Sequence, residues 1–251
     1  LSRWGETGVT AGTYLIVVEP GLGILYSDFT IVTLFTPTES YEKELNDTKA
    51  EATPVQIGRV YYGSGSQRIE GTDADWFSFE VAEDSCVNIT FSHLDHKIPS
   101  AGWTIRLYNE FDQLISDFTS KLSDELVKTG SLGLRKGKYY IQVETQTPVV
   151  DTYKIQVGAD TAVNHEFEIN DNPALATDLP MNLAISGSLA DKVLSLDKDY
   201  YKFTVPADGV VSFEFAHNVL EGDKLGWNVR IIKLEADGTQ TEMIKKSSKW
   251  N

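Results

Sequence analysis

Short runs of alternating apolar and polar residues follow one another along this chain, punctuated by glycine, asparagine and aspartate. VNITF (87–91), WTIRLYN (103–109), KYYIQVE (138–144), YKIQV (153–157), YYKFTV (200–205), VSFEFAH (211–217) and WNVRIIKLE (227–235) are rich in β-branched and aromatic residues. A period of two places successive side chains on opposite faces, which is the signature of half-buried strands. Turn-forming residues separate them at Gly63-Ser64-Gly65, Asn109-Glu110, Lys136-Gly137, Ala207-Asp208-Gly209 and Ala236-Asp237-Gly238. Short strands at such spacing predict an all-β antiparallel sandwich or barrel. One helical turn is expected over Asp47–Ala52, capped by Asn46 or Asp47, with a partner over Asn170–Ala176. Another short helix is expected over Leu122–Val127.

The pattern also repeats. Glu42, Glu44, Asn46 and Asp47 recur 124 residues later as Glu166, Glu168, Asn170 and Asp171. Asp73 and Asp75 recur at the same offset as Asp197 and Asp199. Phe91, His93, Trp103 and Arg106 likewise return as Phe215, His217, Trp227 and Arg230. Self-similarity at a fixed period makes each period one structural unit. Three modules follow, with the central one complete over 38–160 and the N-terminal part of another over 161–251. Residues 1–37 read as the C-terminal strands of a further module, Gly12, Tyr14, Ile16 and Val18 matching Gly137, Tyr139, Ile141 and Val143. From Trp103 to Gly137 is 34 residues. From Trp227 to Asn251 is 24, and 12 more reach Gly12 of a second copy, so the two ends are expected to sum to one module.

Composition narrows the function. The net charge of −15 and isoelectric point near 4.6 exclude a nucleic-acid backbone as partner and suit cation binding. Cys86 is the only cysteine, so no intrachain disulfide forms, and its place before VNITF reads as a small buried hydrophobe. No apolar run has the length of a membrane span, so no membrane insertion is expected. A chain that opens on Leu1 without a signal peptide reads as a processed or excised piece.

Two acidic clusters carry the candidate chemistry. Glu42, Glu44 and Asn46 share one side of an extended segment, and Asp73 and Asp75 share a side just before a strand. With Asp47 they offer five carboxylates and an amide, and the set returns as Glu166, Glu168, Asn170, Asp171, Asp197 and Asp199. Hard cations such as Ca²⁺ take about six to eight oxygens of these kinds. One calcium site per module is the expectation, against the plainer alternative of a solvated acidic linker and an Asp-rich turn. Trp76, Trp103 and Trp227 read as core residues rather than sugar-stacking platforms. His93 and His217 fit a structural role, and no serine or cysteine stands in a nucleophile context. Asn46 and Asn88 lie in N-x-T sequons, and a glycan on Asn46 would compete with its ligand role.

The pieces EKELNDTKAEA, YYGSGSQ, DADWFSFEV and GKYYIQVETQTPVVDTYKIQV, in that order, resemble the bacterial pre-peptidase C-terminal domain family. They are similar also to the collagen-binding domains of secreted bacterial collagenases. The resemblance implies tandem jelly-roll β-sandwich modules, secreted or displayed at the cell surface, non-catalytic and calcium-stabilised through the Glu-x-Glu-x-Asn-Asp segment. Collagen binding does not carry over, because the exposed aromatic surface it needs has no counterpart that can be placed in this sequence.

The resulting expectation is a non-enzymatic extracellular structural or adhesive protein. Its modules associate head-to-tail with neighbouring modules or further copies, and strand complementation builds a filament. The alternative is an accessory region of a secreted peptidase or glycosidase that binds an extracellular polymer such as collagen or polysaccharide.

Overall fold

The computed structural model describes residues 5–19, 28–65, 73–145, 151–189, 197–217 and 226–247. They fall into two compact units, Leu1–Thr204 and Val205–Asn251. The first contains a β-sandwich. Its strands are β1 (Thr53–Pro54), β2 (Val60–Gly65), β3 (Ala74–Val81), β4 (Ser85–His93), β5 (Ala101–Asn109), β6 (Leu114–Lys121), β7 (Leu126–Lys128), β8 (Leu132–Leu134), β9 (Gly137–Thr145) and β10 (Asp151–Thr161). One sheet has the order β1-β3-β9-β5-β6; the other runs β2-β10-β4-β7, with β8 also paired to β4. All pairings are antiparallel except β1 with β3.

The alternation seen in the sequence fixes which side chains face inward. Val87, Ile89 and Phe91 of β4 are buried at every second position, as are Tyr139, Ile141 and Val143 of β9. Rings lock the two sheets together: Phe91 lies 5.7 Å from Trp103, and Phe77 meets Tyr153 edge-on at 6.4 Å. Trp103 is wholly buried, and the His93 ring sits 4.1 Å from it. His93 bonds the Leu94 carbonyl and Ser120 Oγ, both at 2.8 Å, which is a structural use of the imidazole. Cys86 is half-buried on β4, and burial, with the Asp160 charge, pushes its thiol up.

Three local expectations are corrected. Gly63-Ser64-Gly65 is not a turn but the buried end of β2. A Cβ on Gly63 would collide with the Tyr153 ring and stand 2.7 Å from Glu42 Oε2, so Gly63 admits neighbours rather than bends the chain. Leu122–Val127 is not a helix: residues 122–125 turn the chain into β7, which takes Leu126 and Val127, and Leu122 is buried in the core. The helical turn near Asp47 is a 3₁₀ turn over Lys49–Glu51 whose N-cap, Thr48, makes no side-chain cap bond. Its partner over Pro173–Leu175 is capped by Asn172, whose side chain accepts from the Ala174 and Leu175 amides.

Beyond the sandwich, the first unit holds β11 (Thr177–Asp178) and β12 (Tyr201–Lys202), paired in parallel. Thr177 and Tyr201 pair as Thr53 and Phe77 do in β1 and β3. Residues 10–19 and 28–38 carry no strand and are largely exposed; 20–27 of the same segment lies outside the described residues. In the second unit, β13 (Asn228–Leu234) and β14 (Gln240–Ser247) form a hairpin over the Ala236–Gly238 turn. The expected strand YYKFTV shrinks to β12, and VSFEFAH carries no ladder. β3 and β4 are paired along their length with β9 and β10, whereas stretches 203–205 and 211–217 carry no strand. Among the described residues no helix is long and apolar enough to cross a membrane.

Candidate metal centre

Glu42 and Glu44 lie on an extended segment laid beside β2. Tyr62 N–H bonds the Ser40 carbonyl at 2.8 Å, and Glu42 N–H bonds the Tyr62 carbonyl at 2.9 Å. Lys43 N–H reaches Thr53 Oγ1 at 2.9 Å, and the Asn46 carbonyl accepts from Trp76 N–H at 2.9 Å. These bonds tie the segment to both sheets and bring Glu42, Glu44 and Asp75 together. One carboxylate oxygen from each lies within 4.8 Å of the others. Oxygens on opposite sides of a calcium ion at about 2.4 Å stand about 4.8 Å apart, so three ligands of one ion fit this spacing.

The same construction recurs 124 residues on. Ser186 N–H bonds the Asn164 carbonyl, Glu166 N–H bonds the Ser186 carbonyl, and the Asn170 carbonyl accepts from Tyr200 N–H. Glu166, Glu168 and Asp199 form the second group of oxygens within 4.8 Å. The Glu44–Leu45 and Glu168–Ile169 peptide bonds are both cis.

The two centres hold their first glutamate alike. Ser64 donates its N–H to Glu42 Oε1 at 2.7 Å and its hydroxyl to the same oxygen at 3.0 Å. Ser188 N–H donates to Glu166 Oε1. Tyrosines close each centre from different strands. Tyr153 of β10 donates to Asp75 Oδ2 at 2.5 Å, and Tyr201 of β12 donates to Glu166 Oε2.

The electrostatics favour a bound cation. Burial, with the charges of Glu44 and Asp73, pushes the Glu42 carboxyl up to about 8 despite the Ser64 hydrogen bonds. Burial, followed by the charge of Glu42, drives Asp75 well above the carboxylate range. Asn46 is wholly buried, yet neither its Oδ1 nor its Nδ2 has a hydrogen-bond partner among the described residues. Asp75 Oδ1 and Asn170 Oδ1 are left the same way. Burying such atoms unsatisfied costs roughly 1–3 kcal/mol each, and a cation would answer that cost for the oxygens. The residues present therefore fit a hard divalent ion.

Not every expected ligand joins the tight groups. Asp73 is buried and acts on Glu42 and Asp75 through its charge, while Asp47, Asp171 and Asp197 are half-buried outside the three-oxygen sets. Ser64, Tyr153, Tyr201 and Gly63 were not expected at the centre. The offset held the signal for two of them, since Gly63 and Ser64 recur as Gly187 and Ser188. Nothing local marks Tyr153, which reaches Glu42 across 111 residues of sequence.

A pH dependence follows for the ion-free protein. Glu42 binds its proton more tightly folded than unfolded, where its ordinary value is 4.5. That contribution to stability is complete below about 4.5 and is lost as pH rises through about 8. In chelator the melting temperature should fall between pH 5 and pH 8.5, while the rise produced by calcium should grow over that window. Calorimetric scans at three pH values check this; a calcium effect that shrinks with rising pH would contradict it.

No family model matches the chain, and no curated protein matches it. Among solved structures it is similar to the pre-peptidase C-terminal domain of a collagenase from Bacillus anthracis. That likeness has 17% identity, covers 49% of this chain and 99% of the other, and has a TM-score of 0.35. It is also similar to a periplasmic inhibitor of g-type lysozyme from Aeromonas hydrophila, at 17% identity over 43% of this chain and 94% of that one, with a TM-score of 0.28. At such distance the case for function rests on the residues themselves.

Proposed function

We propose that this protein is a non-enzymatic, extracellular structural or adhesive component made of tandem calcium-stabilised β-sandwich modules. The observation that carries the reading is the duplication of a whole centre, with its ligands, its serine support and its backbone ties. Catalysis needs one site, whereas an array gains from an ion at every joint, because each ion stiffens the module it enters.

Assembly is the finer part of the proposal. Tyr14, Ile16 and Val18 are exposed, although the matching Tyr139, Ile141 and Val143 are buried in β9. Phe29, Ile31, Leu34 and Phe35 are exposed too, and in the second unit so are Val205, Val210, Phe213 and Phe215. Apolar segments without a ladder invite strand addition. The 12–18 segment of a second copy is the occupant whose side-chain pattern suits a β9-type place, and head-to-tail contacts of this kind build an open filament where their rotation does not close a ring.

Sedimentation velocity over a concentration series tests it. The expected result is calcium-dependent growth beyond the 27.9 kDa chain that Ile16→Lys with Val18→Lys abolishes. A monomer at every concentration would overturn assembly between copies. Retention on collagen or polysaccharide without self-association would favour the accessory polymer-binding role instead.

A further inference from the structure

The far edge of each ligand-bearing segment is covered by backbone from earlier in the chain. Glu44 N–H donates to the Gly8 carbonyl at 3.0 Å, and Val9 bridges Glu44 in parallel. Further along, Glu168 N–H donates to the Gly133 carbonyl at 2.8 Å, and Leu134 bridges Glu168 in parallel. Gly133 belongs to β8 of the sandwich, so the second contact joins one repeat to the next. Gly8 and Gly133 are 125 residues apart, matching Gly12 with Gly137.

The glycine is required at both places. A Cβ on Gly8 would overlap the Glu42 carbonyl, and one on Gly133 would overlap the Glu166 carbonyl. Neighbouring glycines provide the contrast, since a Cβ on Gly5 or Gly130 would meet nothing within 4 Å. The second contact has further support. Ser188 Oγ donates to the Ser131 carbonyl at 2.5 Å, and the Arg135 guanidinium lies 4.6 Å above the Phe167 ring.

We propose that Gly8 and Gly133 are docks through which the backbone of one repeat presets the ion centre of the repeat that follows. The inference rests on reading the carboxylate groups as an ion site. The segment of Glu42 and Glu44 is then held on both edges, by β2 on one side and the docked Gly8–Val9 backbone on the other. Remove the dock, and the ion must itself order the residue that carries its second carboxylate. Fixing one residue's backbone is worth roughly tenfold in affinity. Ion binding and attachment of the preceding repeat are therefore coupled, and coupling of this kind is reciprocal.

Calcium titration of the full chain by calorimetry tests the coupling, one centre at a time. With Asp199→Asn silencing the second centre, Gly8→Ala should weaken calcium binding roughly tenfold and Gly5→Ala should leave it unchanged. With Asp75→Asn silencing the first, Gly133→Ala should weaken binding and Gly130→Ala should not. Gly8 lies outside every strand, so its arm decides the matter if Gly133→Ala fails to fold. Equal affinities for Gly8→Ala and Gly5→Ala would overturn the proposal. If the unsubstituted chain binds no calcium, the ion reading itself fails. Hydrogen exchange at the Glu44 amide in chelator then judges the dock alone: faster exchange in Gly8→Ala than in Gly5→Ala supports it, and equal rates overturn it.

Discussion

Chelation at pH 8 should lower the melting temperature by roughly 10 °C. An ion at a hundredfold excess over its Kd stabilises the folded state by about 2.7 kcal/mol. For a sandwich of this size each kcal/mol is worth roughly 3–5 °C. The diagnostic variant is Asp75→Asn, which keeps the shape and still offers an acceptor to the Tyr153 hydroxyl. In calcium it should melt lower than the parent, because a ligand charge is gone. In chelator it should melt higher, because burial beside Glu42 holds the native Asp75 carboxyl far above its ordinary range. Opposite signs in the two buffers cannot come from a packing defect. Calorimetric scans of both proteins in both buffers decide it, and equal destabilisation in each would speak against an ion at this centre.

The second large effect belongs to the sandwich. Trp103→Ala should cost about 3–5 kcal/mol, the range for removing a buried aromatic. Its ring is fully buried against His93 and Phe91, and a domain's whole stability is only about 5–15 kcal/mol. Trp227 holds the same place in the repeat and meets Phe215 at 5.5 Å, but it is only half-buried. Trp227→Ala should therefore cost about 1.5 kcal/mol or less, in proportion to the apolar area it covers. Urea unfolding of the two variants measures both; equal costs would mean that the second unit is as well packed as the first.

Strands were legible where their own residues alternate in polarity and a partner is present to complete the ladder. β4, β9 and β10 alternate in polarity and are buried as that alternation requires, while in β5 Thr104 is buried beside the core-facing Trp103 and Ile105. Gly63-Ser64-Gly65 misled because glycine marks close approach as well as turns, and here Glu42 and Tyr153 do the approaching. VSFEFAH has the right period but no ladder, since a strand is made by its neighbours as much as by its own residues. That Glu42, Glu44 and Asp75 come together was legible because they recur with fixed spacing as Glu166, Glu168 and Asp199, which also come together. Tyr153 was not, because a hydroxyl brought from a distant strand leaves no local trace. The docking glycines recur at 125 rather than 124, so a search at one fixed offset passes over them.

Calcium stoichiometry is the most direct test of the account. Calorimetric titration of the chelator-stripped 251-residue chain should find two ions per chain, one in the Asp75→Asn or Asp199→Asn variant, and none when both substitutions are combined. Absence of binding to the unsubstituted chain, or two ions still bound by the double variant, would contradict it.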